Sequence, residues 1–531
     1  MALTEADVLA IQDTPQSHYD IIVEGPVSTV ERAWISMKDG QPQWIVVKSA
    51  PVVRKFSRAP HDIVKEFRIL NSISHQNIIS VLGCFEDEDE EVLKLYMPYI
   101  PISLADLLSS PFFSPHPFPP TPSPDATASR QQERQFTTIA RSIIFQVLSA
   151  VAYLHDDSRQ IAHRDIKPEN IVLTRDGCVK LIDFGVCWKA NEPGPTKEDD
   201  IWPEYAGKLY FEVCTGAYRA PELLFGTRSY DALAVDRWSL GATLAQFFTP
   251  LRLSSDDIDD GDDDDDDEAE ESAGGQSNTT QPFIVPKYLR IGYPGSQWSR
   301  DTLFNGDRGE IGLAWSIFKI YGTPTPDNWP VSLPPIILPL TPLLTDISIL
   351  QEFDDLPGSK SVVFNVVPAV AVQPLLPNLP PSSRTTPTSA APRASASRRP
   401  SASNSTSNGY GLNGTAGSTQ APPPPEQLPH KPASTPFDLL SRFLVYPTAL
   451  RQKASTALLH PWITADNLLL LPPGYHDADP LPGSSYSSSS TTSPHGLRKI
   501  SKYEWQGKSL GEWLHSVLLS VPGRSGGGRS S

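Results

Sequence analysis

The sequence is poor in cysteine and lacks any long, uninterrupted apolar run. Four cysteines occur in 531 residues, at Cys84, Cys178, Cys187 and Cys214, and their spacing fits neither a zinc site nor a disulfide framework. No stretch offers the roughly 18 consecutive apolar residues of a membrane span, and the first residues lack the basic and apolar regions of a secretory signal. These absences favour a protein of the cytoplasm or nucleus that contacts no membrane.

Basic residues are also scarce. The chain has 44 Lys and Arg against 61 Asp and Glu, for a formal net charge of −17, and an acidic chain is a poor match for nucleic acid. Residues 256–271 hold 13 of the acids, and without them the balance is −4. The charge therefore describes one segment, and by itself it argues only weakly against nucleic-acid binding.

The composition is uneven along the chain. There are 54 prolines, and only 39% of the residues are apolar, below the usual share of about 45–50%. Segments rich in Pro, Ser, Gly or Asp cannot bury enough apolar surface to offset chain entropy. We therefore expect disorder in residues 109–131, 252–285 and 377–433 and in most of the tail. The remainder begins with short β-branched runs and continues with helical apolar spacing, which predicts an α+β fold.

The most specific motif runs from His163 to Asn170 and reads HRDIKPEN. The tripeptides Asp183-Phe184-Gly185 and Ala220-Pro221-Glu222 follow it in order. This ordered set resembles the signature of the eukaryotic protein kinases, and we name the residues from Asp183 to Glu222 the activation segment. A chance occurrence of one tripeptide is common, whereas the whole ordered series is not.

The resemblance implies a two-lobed protein kinase fold and a division of the chain. The kinase domain would occupy residues 19–464, with a small β-rich N-lobe over 19–100 and a larger helical C-lobe over 101–464. Residues 1–18 would form an N-terminal extension, and residues 465–531 a mostly disordered tail. The three predicted inserts would interrupt this one domain rather than separate several.

The resemblance also assigns the chemistry of phosphoryl transfer, which needs alignment and charge neutralisation more than covalent help. Asp165 would accept or orient the proton of the substrate hydroxyl, and Lys167 would contact the γ-phosphate of ATP. Asn170 and Asp183 would supply oxygen ligands to Mg²⁺. Lys167 in this position accompanies Ser/Thr specificity in the family, and Thr215 is the matching threonine of the activation segment.

The nucleotide site would be completed by the N-lobe. Lys48 takes the position that clamps the α- and β-phosphates of ATP, with Glu66 as its ion-pair partner, although an ordinary surface pair is the alternative. Met97 takes the gatekeeper position behind adenine, and Ile100 ends the hinge whose backbone reads the adenine edge.

The glycine-rich loop departs from the family pattern. Val23, Gly25, Ser28 and Val30 stand where the pattern has three glycines and a valine. Glycine lets backbone N–H groups approach phosphate closely, so two losses should weaken but not abolish nucleotide binding. A pseudokinase scaffold, which is a binding protein rather than an enzyme, therefore stays an alternative.

Other matched residues indicate packing rather than chemistry. They are the hydrophobic spine Leu70, Val81, His163 and Phe184, its anchor Asp236, and the ion pair of Glu222 with Arg451. The segment from Ile317 to Pro324 with Trp329-Pro330, and the run YRAPE ending at Glu222, resemble the cyclin-dependent-kinase-like branch.

The activation device of that branch is altered. Lys65 replaces an arginine that would grip a phosphothreonine, and Tyr210 stands at the phosphothreonine position. Four acids of the activation segment could replace the phosphate charge or could simply be solvated; they are Glu198, Asp199, Asp200 and Glu212.

Together these features resemble the monomeric fungal kinases that activate cyclin-dependent kinases without a cyclin or their own loop phosphorylation. The resemblance implies a monomer that uses ATP and Mg²⁺, whose protein substrate is a cyclin-dependent kinase, and that binds no nucleic acid. A divergent cyclin-partnered kinase is the second hypothesis, and the pseudokinase scaffold is the third.

Overall fold

The structure, a computed structural model, describes most of the two predicted lobes. The described residues are 11, 15, 18–36, 42–120, 125–190, 192, 199–255, 281–329, 353, 356–380, 434–464, 468–475 and 501–519. The acidic run 256–271 and residues 381–433 lie outside them. The four cysteines are free thiols.

The N-lobe is a five-stranded antiparallel sheet in the order β1-β2-β3-β5-β4. Its strands are β1 (Tyr19–Glu24), β2 (Thr29–Ser36), β3 (Pro42–Pro51), β4 (Gly83–Asp87) and β5 (Val92–Pro98). Helix α1 (Ile63–Asn71) follows β3, and the side chain of Asp62 caps it by accepting a hydrogen bond from the Lys65 amide. One sheet face buries Ala33, Ile35 and Tyr96 together with Ile11 from the N-terminal extension.

The C-lobe is mainly helical and surrounds one long buried helix. Its helices are α2 (Leu104–Leu108), α3 (Ala126–Leu154), α4 (Ala232–Gln246), α5 (Gly309–Tyr321), α6 (Pro436–Ser441), α7 (Ala454–Ala457), α8 (Pro461–Thr464) and α9 (Leu510–Leu519). Short 3₁₀ helices span Pro168–Asn170, Gly216–Tyr218, Pro221–Phe225, Ser359–Ser361, Gln373–Leu375 and Thr448–Leu450. Helix α3 is long and apolar enough to cross a bilayer, but 83% of its apolar window is buried inside the protein. It is the central core helix of this lobe.

Short strands frame residues 163–170, here called the catalytic loop, and the edges of the C-lobe. They are β6 (Ile102–Ser103), β7 (Ile161–Ala162), β8 (Ile171–Leu173), β9 (Val179–Leu181), β10 (Trp188–Lys189), β11 (Leu251–Ser255), β12 (Phe283–Ile284), β13 (Ser296–Arg300), β14 (Leu469–Leu470), β15 (Ser501–Lys502), β16 (Glu504–Trp505) and β17 (Lys508–Ser509). In the antiparallel sheet β6-β8-β9, strand β8 directly follows the catalytic loop and strand β9 ends shortly before Asp183. Because Ile171 lies opposite Leu181, the catalytic loop and the start of the activation segment lie at the same end of this sheet.

The structure corrects the first predicted insert, 109–131. Residues 109–120 pack into the C-lobe, where the Phe113 ring lies 4.9 Å from that of Phe136, centroid to centroid, and is 1% exposed. Residues 126–131 belong to α3, which Asp125 caps. The Pro- and Ser-rich composition misled the prediction, because its interspersed phenylalanines bury enough apolar surface to hold the segment.

The other segment boundaries also shift. Residues 251–255 and 283–284 are strands of one sheet with β13, and Leu379 is fully buried, so the second and third inserts are shorter than predicted.

The C-terminal tail departs most from the expectation. Residues 468–475 and 501–519 fold onto the C-lobe, and Leu470, Leu510 and Trp513 join its core. The apolar residues of these two segments are separated by a Ser-rich stretch, which hid them in the overall composition.

Candidate active site

Lys48, Glu66 and Asp183 form one cluster between the lobes. The Lys48 ammonium donates to Glu66 Oε2 and Asp183 Oδ1, each at 2.7 Å. The Phe184 amide donates to Glu66 Oε1 at 3.1 Å, which joins α1 to the start of the activation segment. We call these three residues the Lys48–Glu66–Asp183 cluster. The surface-pair alternative for Lys48 and Glu66 is excluded, because Glu66 is 1% exposed.

The electrostatics keep Lys48 and Asp183 charged, whereas burial raises the pKa of Glu66. Burial by itself would lower the pKa of Lys48, but the carboxylates of Asp183 and Glu66 outweigh burial and hold that pKa above its usual value. Burial would raise the pKa of Asp183, yet Lys48 outweighs it and holds the pKa well below its usual range. A cationic lysine beside an ionised aspartate is the arrangement that phosphate and Mg²⁺ require.

The catalytic loop brings Asp165, Lys167, Asn170 and Thr215 together. Asn170 Nδ2 donates to Asp165 Oδ2 at 2.9 Å, and Lys167 Nζ lies 3.0 Å from the same oxygen. Lys167 also donates to the Thr215 hydroxyl at 2.7 Å, and that hydroxyl donates to Asp165 Oδ1 at 2.7 Å. Asp165 thus already accepts a hydrogen bond from a hydroxyl in the way that the proposed chemistry needs it to accept one from a substrate.

The backbone of the catalytic loop is held by hydrogen bonds to helix α4. Asp236 at the core of α4 accepts hydrogen bonds from the amides of His163 and Arg164, both at 2.7 Å. Arg164 and Asp183 both have positive φ, at 62° and 65°, which non-glycine residues adopt only where the surroundings enforce it. The strain therefore lies at the two turns that aim Asp165 and the Asp183 carboxylate.

Asn170 and Asp183 fit Mg²⁺ by the chemistry of their donors. The Asp183 carboxylate is ionised, and its side chain is 37% exposed, while the Asn170 amide nitrogen is used by Asp165 and leaves its carbonyl oxygen for another partner. No group of three or more His, Cys, Asp or Glu that could hold a metal occurs among the described residues. Mg²⁺ bound by one or two protein oxygens and substrate phosphates needs no such group.

The residues predicted to face the nucleotide lie on neighbouring strands of the N-lobe sheet and directly after it. Val30 pairs with Lys48 in the β2–β3 register, and Met97, which is 7% exposed, pairs with Val46. Ile100 follows β5 and packs against the main core. The structure thus places the gatekeeper candidate on the strand beside Lys48 and the hinge candidate directly after it.

The β1–β2 turn replaces the glycine-rich loop. The Gly25 amide donates to the Ser28 carbonyl at 3.1 Å, which closes a tight turn. Val23 is 54% exposed, so its side chain is held at the surface rather than in the N-lobe core. The turn therefore forms without the two missing glycines.

The packing residues also meet. The His163 and Phe184 rings stack edge to face at 4.6 Å, and Leu70 and Val81 belong to the same core cluster. Arg451 forms a bidentate pair with Glu222 at 2.7 and 2.8 Å. That pair joins the chain segments before the second insert and after the third insert.

Sequence reasoning missed the most connected acid of the activation segment, Glu204. Both terminal nitrogens of Arg164 donate to it, at 2.8 and 2.5 Å, and Lys65 Nζ donates at 3.2 Å. The Tyr210 amide adds a further bond at 2.9 Å. Burial would raise the pKa of Glu204, but Arg164 and Lys65 lower it to about 2, so Glu204 is a fixed negative charge.

The four acids proposed from the sequence have other places. Asp200 pairs with Arg68 at 2.8 Å, and Asp199 and Glu212 are exposed, whereas Glu198 lies outside the described residues. No sequence signal distinguishes Glu204 from these acids, because the path of the loop decides which carboxylate reaches Arg164.

The activation segment also covers the outer side of α1. The Trp202 amide donates to Asp62 Oδ2 at 2.9 Å, and Arg54 donates to the Ile201 carbonyl at 2.7 Å. Ile201 is 6% exposed. Residues 199–204, which we call the α1 clamp, thus hold the helix that carries Glu66 from both its N-terminus and its side.

Comparison with known proteins agrees with this geometry. Residues 19–282 match the protein kinase domain family. The Schizosaccharomyces pombe serine/threonine-protein kinase csk1 is 29% identical over 229 residues, which are 43% of this chain and 62% of that protein. A serine/threonine-protein kinase of Yarrowia lipolytica is 29% identical over 212 residues, 38% of this chain and 26% of that protein. The chain therefore spans less than two thirds of either relative.

Two solved structures are similar over most of the chain. One is the yeast RNA polymerase II CTD kinase CTDK-1 complex, at 18% identity and a TM-score of 0.44, covering 85% of this chain and 94% of that one. The other is the CAK complex from Chaetomium thermophilum bound to ATP-γ-S, at 20% identity and a TM-score of 0.46, covering 86% and 94%. The family match and the ordered motifs establish the conclusion: the chain belongs to the protein kinase family.

Proposed function

We propose that this protein is an active serine/threonine kinase that transfers the γ-phosphate of ATP to protein hydroxyls with the help of Mg²⁺. The observation that carries the proposal is the Lys48–Glu66–Asp183 cluster, in which both carboxylates lie within hydrogen-bonding distance of Lys48 Nζ. A pseudokinase would have no need to keep this charged group assembled.

Each residue of the site has one task in this proposal. Lys48 binds the α- and β-phosphates, and Asn170 and Asp183 hold Mg²⁺, which neutralises charge developing on the phosphates. Asp165 orients the substrate hydroxyl and accepts its proton, just as it now accepts a hydrogen bond from the Thr215 hydroxyl. Lys167, whose Nζ lies 3.0 Å from Asp165 Oδ2, stabilises the transferring phosphoryl group.

We further propose that the substrate is the activation-loop threonine of a cyclin-dependent kinase, and that the protein acts alone in the cytoplasm or nucleus. The support is that groups within this chain take the places of the activating phosphate and of the cyclin. Glu204 supplies the negative charge that a phosphothreonine would supply to Arg164, and the α1 clamp covers the helix face that a cyclin would hold. A cyclin-partnered kinase is the alternative, because the branch that the sequence resembles includes such kinases.

The experiment uses the full chain, expressed in bacteria so that no eukaryotic kinase modifies it. The chain is incubated with Mg²⁺, ATP and a catalytically inactive, monomeric cyclin-dependent kinase, and labelled sites are mapped by mass spectrometry. We expect phosphate on the activation-loop threonine without added cyclin. Asp165→Asn should lower the rate about 10²–10⁴-fold, whereas Asp157→Asn, an exposed carboxylate elsewhere, should match wild type.

The alternatives give different results. Activity that appears only after a cyclin is added supports the cyclin-partnered kinase. A wild-type chain that labels neither this substrate nor a general protein substrate, with Asp165→Asn indistinguishable from it, supports the scaffold.

A further inference from the structure

We propose that the C-terminal segments 468–475 and 501–519, here called the C-terminal strap, position the Lys48–Glu66–Asp183 cluster through Asn77, and that Tyr475 is the positioning residue. This inference rests on the proposed kinase activity, which the strap would support without touching substrate. It also gives a role to a tail whose composition predicts none.

Asn77 is the joint between the lobes. It lies in the loop that follows α1 and is fully buried. Its side-chain nitrogen, Nδ2, donates to the Val179 carbonyl at 3.0 Å and to Gln146 Oε1 at 3.1 Å. Its backbone carbonyl accepts a hydrogen bond from the Leu181 amide at 2.9 Å. The loop after α1 is thereby attached to α3 and to β9.

Tyr475 completes the hydrogen bonding of this joint. Its hydroxyl donates to Asn77 Oδ1 at 2.6 Å, the side-chain oxygen that the α3 and β9 contacts leave available. Tyr475 is itself 6% exposed, and its ring lies 6.4 Å from that of Phe145 on α3. Without the hydroxyl, Asn77 Oδ1 would lose a buried donor, and a buried unsatisfied acceptor disfavours the arrangement that creates it.

The remainder of the strap is anchored to the same elements. The Leu470 amide donates to Ser142 Oγ on α3 at 2.8 Å, and the Leu471 amide donates to the Lys502 carbonyl at 2.9 Å. These two bonds fix the segment that ends at Tyr475. They also pair it with the second part of the strap.

Helix α9 closes over the β8–β9 turn. A Cβ at Gly177 would lie 2.7 Å from the Leu510 side chain, and one at Gly511 would lie 2.1 Å from the Arg175 carbonyl oxygen. Helix α9 therefore lies in van der Waals contact with the β8–β9 turn. Tyr475 contacts Asn77, which is bonded to β9 itself. The strap bears on both ends of β9.

The position of β9 determines the geometry of the Lys48–Glu66–Asp183 cluster. Leu181 ends β9 two residues before Asp183, and the Ile79 amide donates to the Leu181 carbonyl at 3.0 Å. Helix α1, which carries Glu66, precedes the same loop. A shift of Asn77 would therefore move Asp183 and Glu66 relative to one another, and Lys48 would lose one of its two partners.

The test compares Tyr475→Phe with Tyr446→Phe in the full chain. Tyr446 is similarly buried and donates its hydroxyl to the Gly322 carbonyl at 2.7 Å, a bond that involves neither Asn77 nor β9. We expect Tyr475→Phe to lower kcat about threefold to tenfold with the KM for the protein substrate unchanged. The amides of Ile79 and Leu181 should exchange hydrogen faster. Tyr446→Phe should lower thermal stability to a similar degree but leave kcat and both amides unchanged.

Equal effects of the two variants on kcat and on exchange would overturn the proposal, because Tyr475 would then serve stability alone. Gly511→Ala provides a second variant that displaces α9 without touching Asn77, and it should also speed exchange at Leu181. Hydrogen exchange needs no catalysis. If the wild type transfers no phosphate, the proposed function fails while exchange still tests the strap.

Discussion

The carboxylate of Glu204 accepts hydrogen bonds from both terminal nitrogens of Arg164, at 2.8 and 2.5 Å. Arg164 belongs to the catalytic loop, and Glu204 lies in the middle of the activation segment. The pair thus joins the segment to the loop by charge that is present from synthesis. A phosphothreonine in this position would supply its charge only after phosphorylation.

Glu204→Gln should lower kcat at least tenfold and destabilise the fold. The amide has no charge to balance Arg164 and Lys65, both buried, and breaking a buried pair costs about 3–5 kcal/mol. Activity against the protein substrate and the midpoint of thermal unfolding measure the two effects. Asp199→Asn, at an exposed acid of the same segment, is the control, and an equal loss in both variants would contradict a specific role for Glu204.

The same pair predicts a pH dependence of stability. The folded-state pKa of Glu204 is lowered to about 2 from a usual value of 4.5. A lowered pKa stabilises the fold above the unfolded pKa, and this contribution, on the order of 3 kcal/mol, is lost as pH falls through the folded pKa. The stability difference between wild type and Glu204→Gln should therefore narrow from pH 5 toward pH 3 in urea titrations. A difference that stays constant over this range would show that the pair does not titrate as described.

Restoring glycine to the β1–β2 turn should tighten nucleotide binding. In Val23→Gly with Ser28→Gly, backbone N–H groups can approach phosphate without a Cβ in the way. We expect the KM for ATP to fall several-fold while the KM for the protein substrate does not change. Steady-state kinetics at varied ATP measure this. An unchanged KM for ATP would mean that the two missing glycines do not limit nucleotide binding. Gly25→Ala removes the remaining glycine and should raise the KM for ATP.

The Glu222–Arg451 pair should contribute far more stability than a surface pair. Arg451→Met removes one partner of a fully buried pair and should destabilise the fold by about 3–5 kcal/mol. Arg442→Met breaks a partly exposed pair with Asp438 and should cost less than about 1 kcal/mol. Urea denaturation of both variants gives the comparison. Similar losses would indicate that Glu222 finds another partner or water when Arg451 is absent.

Much of the active site was predictable, because its residues are set by short spacings along the chain. Asp165, Lys167 and Asn170 lie within one loop, and their chemistry requires these residue types in this order. The pairing of Lys48 with Glu66 was also predictable, since a strand followed by a helix at this spacing is typical of the family that the motifs indicate.

The folded part of the insert 109–131 and the C-terminal strap were not predictable in this way. Composition averages over a window, and in both segments a few apolar side chains stand among many prolines or serines. Whether Phe113 or Trp513 is buried depends on a partner surface that lies elsewhere in the chain. Burial against such a surface supplies stabilisation that the local sequence does not show.

The sequence by itself determined the protein kinase fold and the candidate catalytic groups, because motif spacing encodes local geometry. Only the tertiary structure decided which acid balances Arg164 and which tail residue completes Asn77. Glu204 lies 40 residues from Arg164 and Tyr475 lies 398 residues from Asn77. Over such separations, the path of the folded chain, rather than residue type or spacing, decides which charges and hydrogen-bonding groups meet.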